Sequence, residues 1–406
     1  MTKYDYLIIG GGIAGVTAAE TIREHDTNAA IGIISDEPHV LYSRVLLPHY
    51  LKKRIRREQL FLRKADDFVK KRIDLLLGES VSFVDSGRKE VMFSGGSVSG
   101  YEKLLIASGG RVKPWGKEED RGFIYRLQTL DDADRLQSVL TDIKSPLVIG
   151  GSFISLEFLE IFVLNGAAPT LLFRDAHFFG KLLDGDGAEI LHDNFARHGI
   201  IVRAEDAVAD AERDDGKLKI STKALHEIKC DAVAVGIGLE RNMEFLKESG
   251  IALGEKGVRT DEFLATDQEG VFAAGDAAEF YDLIADRHRV LGNWTSAFLQ
   301  GKRAALNMLG QKEPFRNIST YSITSLGFQI TALGDCDGGL ETIARVDAAR
   351  NQYERLFIKE GALKGAVLIN RFQDKPHLAR LIEGRISIEP HREALHDMAF
   401  DIHTIS

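Results

Sequence analysis

Residues 5–15 read Asp5-Tyr6-Leu7-Ile8-Ile9-Gly10-Gly11-Gly12-Ile13-Ala14-Gly15, and helix-forming residues follow as far as His25. A short apolar run that enters a glycine turn and leaves as a helix predicts the first half of a βαβ unit. The glycines have separate tasks: Gly10 allows the tight turn, Gly12 lets a pyrophosphate approach the backbone, and Gly15 lets helix and strand pack closely. The helix then presents free N–H groups and a positive dipole end to phosphate. Residues 30–34 predict the second strand. It runs into Ser35-Asp36-Glu37, and Asp36 stands 21 residues after Gly15. An acid there can accept hydrogen bonds from ribose hydroxyls. With strand, helix and distal acid in place, this stretch predicts dinucleotide binding rather than an idle glycine turn.

The pattern returns. Residues 147–157 read LVIGGSFISLE, again strand, glycine turn and helix, and residues 170–173 predict the partner strand. Two nucleotide folds in series imply two nucleotides. The second copy is altered, with Gly150, Ser152 and Ser155 at its three glycine positions. Serine at the middle position is expected to push a hydroxyl toward the pyrophosphate, and serine at the third to spread helix from strand. Where a ribose-binding acid would stand, the strand ends at Phe173 and Arg174. Arg174 either faces a 2′-phosphate, which favours NADPH, or is a solvated surface charge.

Residues 104–110 and 229–238 each predict a strand with a small-residue exit, and residues 271–278 a strand ending at Gly275-Asp276. Residues 294–308 predict a helix with a small face of Ala297, Gly301, Ala304 and Ala305. Beyond about 313 the texture turns to β-structure, with a hairpin near Glu360-Gly361 and a last helix over 375–383. That region shows no chemical motif, and packing or dimerisation is its expected role.

Composition narrows the function. The net charge of −9 argues against nucleic acid as a partner. No apolar run is long enough for a membrane helix, and the first residues do not form a signal peptide. Cys230 and Cys336 are the only cysteines, which excludes a disulfide scaffold, a CxxC pair and cysteine-based metal centres. No metal site is predicted. The expected compartment is reducing and cytoplasmic.

Gly10–Gly15, Ile106-Ala107-Ser108-Gly109, Gly150–Glu157, and Gly275-Asp276 with Trp294, Gln300 and Gly301 occur in the order and spacing of a known family. The chain from about residue 3 to 310 resembles the FAD-dependent pyridine nucleotide:disulfide oxidoreductase superfamily. Its C-terminal stretch resembles the branch of rubredoxin and ferredoxin reductases and nitrite reductase flavin domains. The resemblance implies an α/β fold of two Rossmann-like domains, for FAD and NAD(P), plus an α+β C-terminal domain. The expected FAD domain is discontinuous, 1–112 and 244–312. The NAD(P)-like domain covers 113–243, and an interface or dimerisation domain 313–406.

The resemblance also implies roles. Gly10, Gly12, Ile13, Ala14 and Gly15 surround the FAD pyrophosphate, and Ser35 and Asp36 lie at the adenosine ribose. Arg44 contacts FAD, Val81 brings its backbone to the adenine, and Ala107, Ser108 and Gly109 pass near the cofactor. Asp276 holds the ribityl chain, with Trp294 and Ala297 close to the isoalloxazine. Gly150, Ser152, Phe153, Ile154, Arg174 and Gly238 line the second nucleotide site. Glu157 matches a glutamate near the flavin where nicotinamide stacks. Many ferredoxin reductases pair that glutamate with a lysine, and the aligned residue is taken here as His49, either a proton shuttle or a lining residue. Where some branches carry a redox cysteine this chain has Val45, which rules out thiol chemistry at that position.

Residues 52–72 hold ten basic and three acidic residues. They form either a docking patch for an acidic carrier (rubredoxin, ferredoxin or a nitrite-reductase-type protein) or an ordinary solvated face. The expected activity is FAD-dependent electron transfer from NADH or NADPH to such an acceptor. Two alternatives stay open: a flavoprotein electron-transfer subunit with a degenerate nucleotide site, and an NAD(P)H oxidase. Oligomeric state is open, a homodimer among the options.

Overall fold

The computed structural model describes residues 2–406. The chain divides into two compact units, residues up to 45, 56–111 and 239–319 in one, and residues 46–55, 112–238 and 320–406 in the other.

The first unit is organised by one sheet. Thr2–Ile9 lies between Ile31–Ser35 and Val98–Ile106, parallel to both. Ile73–Leu77 extends the sheet on one side. On the other, Val98–Ile106 takes Val271–Ala273 in parallel and Glu90–Phe93 antiparallel. Leu7, Ile8, Ile31 and Ile33 are almost fully buried, because strands covered on both faces are apolar throughout rather than alternating. The helix Ile13–His25 packs on the helix Trp294–Met308. The expected small face explains the contact: a Cβ added at Gly301 would stand 2.2 Å from the carbonyl oxygen of Ala14.

The second unit repeats the architecture. Its parallel sheet runs Ile201–Arg203, Thr170–Leu172, Pro146–Ile149, Ala232–Val235, Ile124–Tyr125. A three-stranded antiparallel sheet, Val208–Asp214, Lys217–Thr222 and Glu227–Cys230, accompanies it. A five-stranded antiparallel sheet spans Thr320–Ile369, and the helix Lys375–Gly384 follows.

Two expected strands differ. The run 229–238 is two strands belonging to different sheets. Cys230 pairs with Leu218 and Ala232 with Pro146, and between them the Asp231 carboxylate accepts the Lys144 and Ser145 N–H groups at 2.8 and 3.0 Å. Those two hydrogen bonds hold the chain where it changes sheet. The run 104–110 is the end of a longer strand that starts at Val98, and Gly110–Val112 is a separate strand paired with Leu239–Arg241. Cys230 is a fully buried core residue whose thiol burial pushes up to about 12. Among the described residues no helix is long and apolar enough to cross a membrane.

Candidate functional site

The first cradle forms where Thr2–Ile9 turns into the helix Ile13–His25. Gly10 has φ +124, and a Cβ there would lie 2.1 Å from the carbonyl oxygen of Ala107. That position needs glycine for two independent reasons. Gly15 is equally confined, its added Cβ falling 2.0 Å from the carbonyl oxygen of Gly10. Gly12 differs: a Cβ there would meet nothing within 4 Å and would project into open space. This separates a glycine the fold requires from one that leaves room for a ligand. Gly12 is the helix N-cap and offers no side chain to the first turn, so N–H groups there remain free for an anion.

Ser35 closes its strand, buried, with its side chain 2.8 Å from where a Gly11 Cβ would stand. Asp36 follows, exposed. Arg44 pairs with Glu37, which also accepts from the Tyr42 hydroxyl at 2.6 Å. Burial opposes the Arg44 charge, but Tyr42, Glu37 and Asp36 hold its guanidinium above its usual range. Ala107 donates its N–H to the Ile9 carbonyl at 2.8 Å, Ser108 reaches the Asn242 carbonyl, and Gly109 takes φ +64. Val81 opens the strand Val81–Asp85.

Asp276 sits in a frame that the sequence only partly discloses. Gly275 takes φ +74 and its N–H is fixed by the Gln300 side chain at 2.8 Å, which is itself held by Ser296 at 3.1 Å. Arg241 donates to the Asp276 carbonyl at 2.9 Å. The Asp276 carboxylate has no hydrogen-bond partner among the described residues. Burial raises its pKa while Arg241 and Arg44 oppose that rise. A half-buried carboxylate with open lone pairs and two nearby cations suits a polyhydroxy ligand. Trp294 starts the following helix, whose N-cap Asn293 accepts from Ser296, and Ala297 lies against Gly275.

In the second unit the turn at Gly150 has φ +116, and its serines are accommodated. Ser152 caps the helix Phe153–Leu164 and donates its hydroxyl to the Gly236 carbonyl at 2.8 Å. Ser155 is fully buried, and its Oγ would lie 2.3 Å from a Cβ at Gly236. The missing side chain of Gly236 makes the space that the serines use. The Ser152 hydroxyl, expected from the sequence to be pushed toward a pyrophosphate, is committed to the Gly236 carbonyl. The Phe153 ring packs at a tilt against those of Tyr321 and Phe179, centroids 4.2 and 4.5 Å apart. Ile154 is half-buried beside it, Gly238 is exposed at φ +91, and Arg174 is exposed at the strand end.

The same helix carries Glu157, and here the structure departs from the sequence reading. Lys52 directs its ammonium at both Glu157 and Glu160, its side chain 1% exposed. Arg54 adds a 3.0 Å ion pair to Glu160. Burial pushes the Glu157 carboxyl up against the pull of Lys52. Burial acts on Glu160 too, but the Lys52 hydrogen bond and charge, with Arg54, hold it below its usual range. His49 lies on the short helix Leu47–Leu51 one turn before Lys52. It makes no ion pair with Glu157, and burial, then Lys52 and Arg54, lower its pKa.

Lys52 is therefore Glu157's partner, and four of the ten basic residues of 52–72 are engaged with glutamates. Lys52 is internal, Arg54 is engaged, and Arg63 and Lys71 both bind Glu20, at 2.7 and 2.6 Å. A signal was present in the sequence: Glu157 and Glu160 are three apart on one helix and share a face, which calls for an internal cation. Tyr321 was also missed. It comes from the region read as chemically bland, yet burial and the Glu157 charge push its phenol up to about 12. Among the described residues no cluster could hold a metal ion.

The family described as Pyridine nucleotide-disulphide oxidoreductase matches residues 4–301, and the Rubredoxin NAD+ reductase C-terminal domain matches residues 318–386. The chain is 27% identical over 400 residues to the biphenyl dioxygenase system ferredoxin–NAD(+) reductase component of Paraburkholderia xenovorans strain LB400, covering 97% of this chain and 96% of that protein. It is 27% identical to the anthranilate 1,2-dioxygenase system ferredoxin–NAD(+) reductase component of Burkholderia cepacia, covering 97% and 98%. Among solved structures, a covalent putidaredoxin reductase–putidaredoxin complex superposes with a TM-score of 0.91 at 23% identity, covering 100% of this chain and 98% of that one.

Proposed function

The chain belongs to the pyridine nucleotide-disulphide oxidoreductase family, and from that premise we propose that it carries electrons from a reduced nicotinamide nucleotide, through FAD, to a small iron–sulfur or rubredoxin-type protein. The observation that carries this reading is the pair of glycine turns, at Gly10 and Gly150, each opening a helix at the end of a parallel strand. The full-length relatives act as ferredoxin–NAD(+) reductase components. Val45 stands where a redox cysteine would be, which favours a carrier over a disulfide as acceptor. Both cysteines are free thiols, in keeping with the cytoplasm as compartment.

The first cradle fits FAD. Gly12 opens space for a pyrophosphate beside the free N–H groups of the helix, and Asp276 offers an unpartnered carboxylate to ribityl hydroxyls. Bound FAD supplies hydride acceptance followed by release of electrons one at a time. The protein's own part is positional. In the second unit the Phe153 and Ile154 N–H groups remain for a nucleotide pyrophosphate, since the Ser152 side chain caps Ser155 alone. Lys52 pulls the Glu157 carboxyl down against the burial that raises it. A fixed carboxylate suits the positive charge that develops on an oxidised nicotinamide.

The test is anaerobic mixing of the yellow protein with NADH or NADPH, followed by addition of an acidic ferredoxin or rubredoxin. Bleaching by a nucleotide and re-oxidation by the carrier are expected. A flavin that only dithionite can bleach would overturn the reading.

A further inference from the structure

We propose that the nucleotide taken by the second cradle carries a 2′-phosphate, NADPH rather than NADH, and that Arg174 is the residue that selects it. The inference rests on the reading of that cradle given above. In a parallel sheet the nucleotide lies beyond the carboxyl ends of the strands, and the residue ending the strand next to the glycine turn faces the adenosine ribose. A carboxylate there accepts from a 2′-hydroxyl and repels a 2′-phosphate, and an arginine does the reverse.

The chain holds both arrangements. In the first cradle the neighbouring strand, Ile31–Ser35, runs into Asp36 and Glu37. In the second the neighbouring strand, Thr170–Leu172, runs into Phe173 and Arg174. Phe173 is 3% exposed, its ring set among Phe178 and His192 at 5.8 and 6.2 Å. It offers nothing to a hydroxyl. Arg174 is exposed and enters no hydrogen bond, ion pair or ring contact among the described residues.

That freedom is unusual here, where Arg44, Arg54 and Arg63 are each tied to a glutamate. Nor is Arg174 neutralised locally. Asp175 lies under Gly180, its Cβ 3.2 Å from where a Gly180 Cβ would stand, and its carbonyl accepts the Glu205 N–H at 3.1 Å. Neither carboxylate pairs with Arg174. Lys181, exposed on the same connection, adds a second positive charge. A planar guanidinium with five free donors at this place matches a phosphate dianion.

The experiment uses the FAD-loaded protein and two readouts. In calorimetric titrations, 2′,5′-ADP should bind at least about tenfold more tightly than 5′-ADP, and Arg174→Gln should bring that ratio to about one. In anaerobic flavin reduction, kcat/KM should favour NADPH, and Arg174→Gln should lower the NADPH-to-NADH ratio by about 10- to 100-fold, chiefly through KM. Arg174 is exposed and its side chain enters no hydrogen bond or ion pair among the described residues, so the variant is expected to fold. A preference for NADH and 5′-ADP that Arg174→Gln leaves unchanged would overturn the inference. If neither nucleotide bleaches the flavin, the reductase reading falls, and the two ADP probes still decide the selectivity.

Discussion

The ammonium of Lys52 is buried against the carboxylate of Glu157, 105 residues further along the chain. Residues 46–55 thus belong with the second nucleotide fold although the first surrounds them in sequence. The pair is one element of a larger set, since Glu160 and Arg54 complete an alternation of two cations and two anions. Breaking such a set strands a charge away from water, which costs more than the intact set contributes.

Lys52→Met should therefore destabilise the protein by about 3–5 kcal/mol at neutral pH. The sign of the pH dependence follows from Glu157, whose proton affinity burial already raises. Without the lysine its folded-state pKa rises further above the unfolded value. The variant is least impaired below the unfolded carboxylate range and loses stability as pH rises through the folded value. Thermal unfolding at pH 5 and pH 8 checks this. An equal loss at both values would mean that the set is not held together by charge.

Gly10→Ala and Gly12→Ala should fail in different ways. At Gly10 the new methyl meets the Ala107 carbonyl oxygen, on backbone with φ +124. The fold itself is strained there, and the apoprotein should lose several kcal/mol, on the order of the larger single-site effects. At Gly12 the methyl meets nothing within 4 Å. The Gly12→Ala apoprotein should unfold within about 1 kcal/mol of the original but retain little FAD. Melting of the apoprotein and the flavin content of the purified variant separate the two. A Gly12→Ala protein that stays fully yellow would remove the pyrophosphate from that space.

What could be read in advance has a physical pattern. Both glycine turns were legible because their demands are local: a strand, a turn of positive φ and a helix follow one another within a dozen residues. The small face of 294–308 was legible for the same reason, as a period along one helix. The Lys52–Glu157 pair was not, because a lysine in a basic run looks like solvated surface until the fold brings a carboxylate pair to it. Nor was the break at Asp231. Its cause is two N–H groups, of Lys144 and Ser145, far away in sequence. Tyr321 was not legible because a tyrosine on a β-strand gives no sign of the helix residue its ring will pack against.

The serines of the second cradle invite the opposite experiment to the one their sequence suggests. Restoring glycine at 152 removes a helix cap and the 2.8 Å bond to Gly236, so Ser152→Gly should lower stability, by up to about 1 kcal/mol. It should leave affinity for a nicotinamide nucleotide within about twofold, because the hydroxyl is directed at Gly236 and not at the ligand space. Gly236→Ala should be far worse, since its methyl would lie 2.3 Å from Ser155 Oγ. Denaturant unfolding alongside nucleotide titration tests the set. A large gain in affinity for Ser152→Gly would show that the hydroxyl does obstruct the site.

The C-terminal sheet carries its own titratable centre. Arg345 and Glu354 face each other across two strands in register, both side chains 0% exposed. Arg345 also holds the chain end, donating to the Asp397 and Phe400 carbonyls at 3.2 and 2.9 Å. Arg371 bridges Glu354 to Asp374. Burial, then the hydrogen bond with Asp374, push Glu354 up to about 7, against the pull of Arg345. An unfolded glutamate titrates near about 4.3, so the folded state holds this proton more tightly. The stability it contributes is complete below about 4.3 and is lost as pH rises through about 7. Glu354→Gln removes that titration. The difference in unfolding free energy between the parent and the variant should therefore shift against the parent as pH is raised from 5 to 8. Urea unfolding at several pH values measures it, and a difference that stays constant would place the Glu354 proton loss outside that window.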